Sequence, residues 1–189
     1  MAESPWEDIL DTLSVSEKSG EGLPPVRAFR SLPEPDDPPV WRGDTKPTKF
    51  EVRRLQILNQ NRGGLDQANF ISGYSDASLH QATNRAGWGI WLRDAGTRIL
   101  RCGPCPKWVR SSNDAELVAL YAAIWTAVSN LDTERADVLV LNTDSQHAAM
   151  LFGWNGGMRR LPKKIQVLDV LCQSYRLLEE AGIFLSVRW

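Results

Sequence analysis

Val138-Leu-Val-Leu-Asn-Thr-Asp-Ser-Gln146 joins an unbroken apolar run to a cluster of short polar residues around one carboxylate. Four consecutive branched aliphatic residues suit a strand buried on both faces, because a half-exposed strand alternates apolar with polar. Asp144 then falls at the carboxyl end of that strand, immediately before a helix start at Ser145. Open α/β sheets place their sites at such points. A helix precedes the run, so the strand is expected to lie parallel to an earlier one.

Upstream, Ser112-Asn-Asp-Ala-Glu-Leu117 opens that helix. Asn113 is the expected cap, with Glu116 three residues later, and Leu117, Leu120, Tyr121, Ile124, Val128 and Leu131 recur at helical spacing. Further back, Phe70–Ser78, Gly87–Leu92 and Arg98 to Val109 read as three strands separated by turns at Asn84-Arg85 and Asp94–Gly96, an antiparallel meander. Downstream, Ser145 to Phe152 and Leu161 to Ala181 read as helices, Gly182 ends the second, and Ile183–Trp189 is a last strand. The order βββαβααβ predicts an α/β domain over residues 70–189. Its five-stranded mixed sheet has three antiparallel strands followed by crossover helices.

The preceding residues differ in kind. Eight of the 11 prolines lie before residue 50, and residues 1–50 carry ten acidic against six basic side chains. Residues 51–189 carry 16 basic against 13 acidic, so the folded part is mildly basic, which permits but does not require a nucleic-acid partner. Proline removes a backbone donor and disfavours helix before it, so residues 1–47 read as an acidic, largely disordered Pro-rich tail. Within it Ser4, Pro5 and Glu7 form a helix-start signal, and Trp6, Ile9, Leu10 and Leu13 lie on one side of a short helix over 5–13. So short a helix forms only when docked, on a protein partner or on its own domain. Thr48-x-x-Glu51 starts a second short helix, which with a linker fills residues 48–69; its Arg53, Arg54 and Arg62 read as a solvated face. No apolar run is long enough for a membrane helix, and the N-terminus lacks a signal-peptide pattern. A soluble cytoplasmic protein, with no membrane partner, is the expectation.

Cys102, Cys105 and Cys172 make an odd count that suits a reducing compartment. Cys102-Gly-Pro-Cys105 matches the spacing of thioredoxin-type redox pairs, but its surroundings read as extended, whereas a redox Cys opens a helix. A zinc half-site lacks a second ligand pair at the required spacing.

Asp76 lies within the first strand, Glu116 near the start of the first long helix and Asp144 at the end of the buried strand. A carboxylate in a central strand is costly to bury without a partner. Pairing of the fourth strand with the first would bring the two aspartates together, with Glu116 delivered by the helix on that face. Three hard oxygen ligands suit Mg²⁺, with Mn²⁺ as a substitute, and a pair of such ions can drive hydrolysis of a phosphodiester. Taken singly, Asp144 and Glu116 could as well be helix-capping residues.

At these positions the sequence resembles the ribonuclease H type 1 family. Tyr74-Ser-Asp76-Ala-Ser78 is similar to the family's Asp-Gly-Ser strand, Ser112-Asn113-Asp-Ala-Glu116-Leu117 to its Asn-x-x-Glu-Leu helix start, and Asn142-Thr-Asp144-Ser-Gln146 to its Thr-Asp-Ser-Gln motif. The resemblance implies a Mg²⁺-dependent endonuclease that cuts the RNA strand of RNA–DNA hybrids by two-metal-ion catalysis, with Asp76, Glu116 and Asp144 as catalytic metal ligands. It also implies hybrid contacts from Ser78, Asn113 and Gln146 in the minor groove. Trp154, Arg159, Arg160, Lys163 and Lys164 fall where family members carry a basic protrusion for the DNA strand.

The family continues beyond its fifth strand into a loop with a His and a final helix that supplies a fourth acidic ligand; this chain stops at Trp189, within the fifth strand. Residues 70–189 therefore read as a truncated ribonuclease H-like domain. The alternative function is a catalytically impaired ribonuclease H-like module that binds nucleic acid or acts as a scaffold, docking through the Trp6 helix or the exposed C-terminal edge of the sheet. Transposases and integrases of the same superfamily order their acids Asp, Asp, Glu, whereas here Glu116 stands between the aspartates.

Overall fold

A computed structural model of the chain describes residues 47–61, 69–131, 133, 136–152 and 161–189. Residues 1–46 of the Pro-rich tail with its 5–13 helix, Arg62, Trp154, Arg159 and Arg160 lie outside the described residues. The elements run α1 (Lys49–Asn61), β1 (Phe70–His80), β2 (Arg85–Arg93), β3 (Arg98–Pro104), α2 (Ser112–Asn130), β4 (Val138–Asn142), α3 (Gln146–Leu151), α4 (Ile165–Ala181) and β5 (Phe184–Arg188).

They form one five-stranded sheet in the order β3-β2-β1-β4-β5. β1, β2 and β3 pair antiparallel, with Tyr74 opposite Trp91 and Trp91 opposite Leu100. β4 runs parallel to both β1 and β5, with Ser72 opposite Val140 and Val140 opposite Ser186. The α/β mixed sheet expected from the sequence is the one found. Gly73 sits where β1 passes closest to its neighbours: a Cβ there would collide with the Leu92 side chain and the Trp91 carbonyl.

Strand alternation sorts the sheet into two unlike faces. Ile71, Trp88, Ile90, Leu92, Leu139 and Leu141 point toward the helices and are buried. α2 lies across β1 and β2, and its alanines, among them Ala115, Ala119, Ala123 and Ala127, let it sit close to the sheet on one side and to α4 on the other. It is apolar nearly all round because it is the middle layer. On the opposite face the expectation for β4 needs correction. Leu139 and Leu141 are fully buried, but Val138 and Val140 are only half-buried, because no described helix covers that side.

α1 is an integral part of the fold. The Thr48 hydroxyl accepts from the Glu51 amide, as the start signal predicted. Val52, Leu55, Gln56 and Asn59 are then buried against α4 and the β5 edge. Glu51 pairs with Arg176 of α4, Lys49 Nζ donates to the Leu161 carbonyl at 2.7 Å, and Gln56 Nε2 donates to the Leu151 carbonyl at 2.9 Å. Arg54 does lie on the solvated side, whereas Arg53 Nη1 donates to Gln56 Oε1 at 2.9 Å. The sheet edge at β5 is likewise partly closed: the Asn59 carboxamide takes both the amide and the carbonyl of Leu185. Gly182, at φ 71°, ends α4 in the left-handed conformation that glycine tolerates best.

Candidate active site

β1 and β4 pair only as far as Tyr74 and Asn142, where the Asn142 carboxamide donates to the Gly73 carbonyl at 3.0 Å. Beyond that point β1 continues alongside β2, whereas Thr143 turns to β5 and donates its amide to Arg188. The two chains part, and the opening lies at the carboxyl end of β4. Asp76, on β1, and Asp144, just past β4, flank it, and α2 brings Glu116 to the same point. One carboxylate oxygen of each residue lies within 4.8 Å of the others, so the convergence expected from the sequence is present.

Other residues perform the capping that the sequence could have assigned to these acids. Ser111, not Asn113, caps α2 by accepting from the Asp114 amide at 3.1 Å, which leaves Asn113 exposed in the first turn and Glu116 one residue into the second. Serine and asparagine cap equally well, so the two-residue shift was not readable locally. Ser145 caps α3 by accepting from Ala148, and the exposed Asp144 carboxylate takes no part. The Asp144 backbone is fixed instead, its carbonyl accepting from the Trp189 indole at 3.0 Å.

One amide serves two of the acids, half-buried Asp76 and buried Glu116: Ala77 N–H donates to Asp76 Oδ1 at 2.8 Å and to Glu116 Oε1 at 3.2 Å. Glu116 Oε2 is buried with no hydrogen-bond partner among the described residues. Burial, then the charges of Asp144 and Asp76, push the Glu116 carboxyl up to about 8. Burial and the Asp144 charge also raise Asp76, against the pull of the Ala77 amide. Three mutually repelling carboxylates around an orphaned oxygen suit a hard cation, which supplies the missing positive charge.

The surrounding polar residues take different places. Ser78, Asn113 and Gln146 are exposed, and each follows or precedes one of the three acids by two or three residues on the same strand, helix turn or strand-to-helix link. Lys163 is exposed just before α4. Lys164 has another role: its ammonium donates to Asp114 Oδ2 at 2.7 Å and lies 5.0 Å from the centre of the Trp108 ring, tying the start of α4 to the start of α2. Sequence reasoning missed Asp114, whose carboxylate also accepts from the Arg110 amide. Burial would raise Asp114, but the Lys164, Arg110 and Ser111 hydrogen bonds outweigh it and hold the carboxyl low.

Cys102 belongs to β3 and Cys105 follows its end, so no helix starts there. An extended run of three residues spans roughly 10 Å, beyond disulfide reach. Burial and the nearby Glu116 charge push the Cys105 thiol up to about 12, the reverse of an activated redox thiol.

No family model and no curated protein matches the sequence. Among solved structures, LC11 ribonuclease H1 in complex with an RNA/DNA hybrid is similar, with 17% identity and a TM-score of 0.52, over 62% of this chain and 83% of that one. Ribonuclease H1 from the halophilic archaeon Halobacterium salinarum NRC-1 matches with 20% identity and a TM-score of 0.45, over 63% of this chain and 83% of that one. At such identity the first likeness speaks for the fold alone, and by fold this chain is ribonuclease H1-like.

Proposed function

We propose that the protein is a divalent-metal-dependent endonuclease that hydrolyses the RNA strand of RNA–DNA hybrids. The reading rests on one observation: three carboxylates from separate elements meet at one point, none of them needed for capping, and one oxygen is buried without a partner. The fold shared with a ribonuclease H1 solved on an RNA/DNA hybrid supports the substrate class.

Asp76, Glu116 and Asp144 are the residues that would hold Mg²⁺ or Mn²⁺. Bound there, such ions would supply Lewis-acid chemistry for phosphodiester hydrolysis, activating water and offsetting charge on the departing oxygen. The protein's part is preorganisation. The Ala77 amide orients two carboxylates before any ligand arrives. Gly89, opposite Asp76 on β2, has nothing within 4 Å of where a Cβ would sit, which leaves room for a backbone to approach. Ser78, Asn113 and Gln146 suit the shallow minor groove of an A-form-like duplex, where 2′-hydroxyls distinguish RNA from DNA. Lys163 suits a phosphate contact.

The test is cleavage of end-labelled hybrid with Mg²⁺, alongside the Asp76→Asn and Asp144→Asn chains. The expected result is cutting confined to the RNA strand, lowered about 100-fold or more by either substitution. Cutting that persists in both variants would overturn the assignment. Hybrid binding without cutting would favour the alternative, an impaired binding or scaffold module.

A further inference from the structure

The sheet face opposite the helices is unfinished. Not one residue projecting from it is buried, although Phe70, Tyr74, Trp91, Leu100, Val140 and Phe184 lie on adjoining strands there. Phe70 is 62% exposed, and the Tyr74 and Trp91 rings meet at a tilt with centres 5.8 Å apart. Contiguous apolar surface of this kind on one side of a sheet is ordinarily covered. Arg93, Arg98 and Arg188 rim the face, and none of them forms an ion pair among the described residues.

We infer that residues 4–13 of the same chain dock on this face as a short amphipathic helix. Two properties of the segment fit the surface. Trp6, Ile9, Leu10 and Leu13 repeat at i, i+3, i+4 and i+7, giving one apolar stripe. Residues 1–13 also carry four acids, Glu3, Glu7, Asp8 and Asp11, and no basic residue, the complement of the arginine rim. A nine-residue helix is about 13 Å long, and five strands span roughly 19 Å, so the stripe fits within the sheet. The 33 residues from Ser14 to Lys46 have a typical end-to-end reach of about 30 Å or more, ample to pass from the start of α1 round the sheet. Tethering at that length gives an effective concentration near millimolar, enough to hold a contact that would be weak between separate molecules. The inference is independent of the nuclease reading, because the contact surface begins at Phe70 and ends before Asp76.

The full chain and its Trp6→Asp/Leu10→Asp form are compared by NMR, following the Trp91 indole, assigned through Trp91→Phe, and the Leu100 methyls. Both signals are expected to differ between the two chains at all protein concentrations. The difference should shrink in the Arg93→Glu/Arg98→Glu chain and with added salt. A peptide of residues 1–16, added to the Trp6→Asp/Leu10→Asp chain, should restore the original positions at high concentration. The Trp6→Asp/Leu10→Asp substitutions alter only the segment, so the fold of residues 47–189 serves as its own control in that comparison. Identical Trp91 and Leu100 signals in both chains would overturn the inference. So would differences that grow with protein concentration, the mark of a second copy on the face, or differences centred instead on Phe50, Ile57 and Leu58, the exposed apolar residues of α1.

Discussion

The carboxamide of Asn59 pairs with both backbone groups of Leu185, accepting from the amide at 3.0 Å and donating to the carbonyl at 3.3 Å. A side chain of α1 thereby acts as one more rung beside the edge strand β5. An open edge is a template for pairing with another chain, and here its middle is closed from within.

Asn59→Ala should lower unfolding free energy by about 1–3 kcal/mol, the cost of leaving a buried amide and carbonyl without partners. Asn59→Asp should cost more, because it sets a carboxylate against the Leu185 carbonyl. Urea denaturation of both variants measures this. Unchanged midpoints would mean that α1 is an appendage of the domain.

Lys163 and Lys164 are neighbours in sequence, but Lys164 is held by Asp114 whereas Lys163 is exposed, and the phosphate contact is proposed for Lys163 alone. Lys164 anchors Asp114, so Lys164→Ala should destabilise the fold, with a coupling of about 1–2 kcal/mol in a double-mutant cycle with Asp114→Ala. Lys163→Ala should leave the denaturation midpoint unchanged. It should weaken hybrid binding and reduce the salt dependence of that binding by about one phosphate contact. Titrating binding against salt for both variants separates the two roles.

The chemistry was more legible in the sequence than the packing. Asp76 stands out because a carboxylate within a strand conflicts with local preference, and a site shared with Asp144 at a strand end and Glu116 on the helix resolves the conflict. Gly182 was readable for a similar reason, being a residue whose conformational freedom suits a helix end. By contrast, Gln56 and Asn59 are buried polar residues whose partners, Leu151 and Leu185, are 95 and 126 residues away. No local pattern encodes such contacts, so the start of α1 and its arginine face are readable from the sequence while its docking is not. The half-open side of β4 escaped for the same reason: four aliphatic residues in a row look alike whether one face or two are covered.

Cys102 and Cys105 should behave as unrelated thiols. The exposed Cys102 should alkylate readily, whereas Cys105, partly buried and with its thiol pushed up to about 12, should react much more slowly at neutral pH. Mass spectrometry after mild oxidation should find no intramolecular bridge between them. A Cys102–Cys105 disulfide formed without loss of the fold would contradict the extended spacing.

Glu116 carries a proton-linked signature of the site. Its carboxyl is raised from 4.5 to about 8, so the native state holds this proton more tightly than the unfolded state does. Above pH 8 both states are ionised and the full cost of a buried charge beside Asp76 and Asp144 is present. As pH falls from 8 toward 4.5, the native carboxyl takes up its proton first, so metal-free stability should rise through that window; the raised Asp76 adds in the same direction at lower pH. Thermal unfolding of the metal-free chain should therefore show a higher Tm at pH 6 than at pH 8.5. Glu116→Gln should flatten that slope and raise the Tm at pH 8.5. Mg²⁺ acts oppositely on the native protein, favouring the ionised carboxyls, so its stabilising increment should be larger at pH 8.5 than at pH 6 and should shrink in Glu116→Gln. A Tm that is flat with pH in the unaltered chain, or a Mg²⁺ increment that survives Glu116→Gln in full, would mean that Glu116 is neither strained by its neighbours nor part of the cation site.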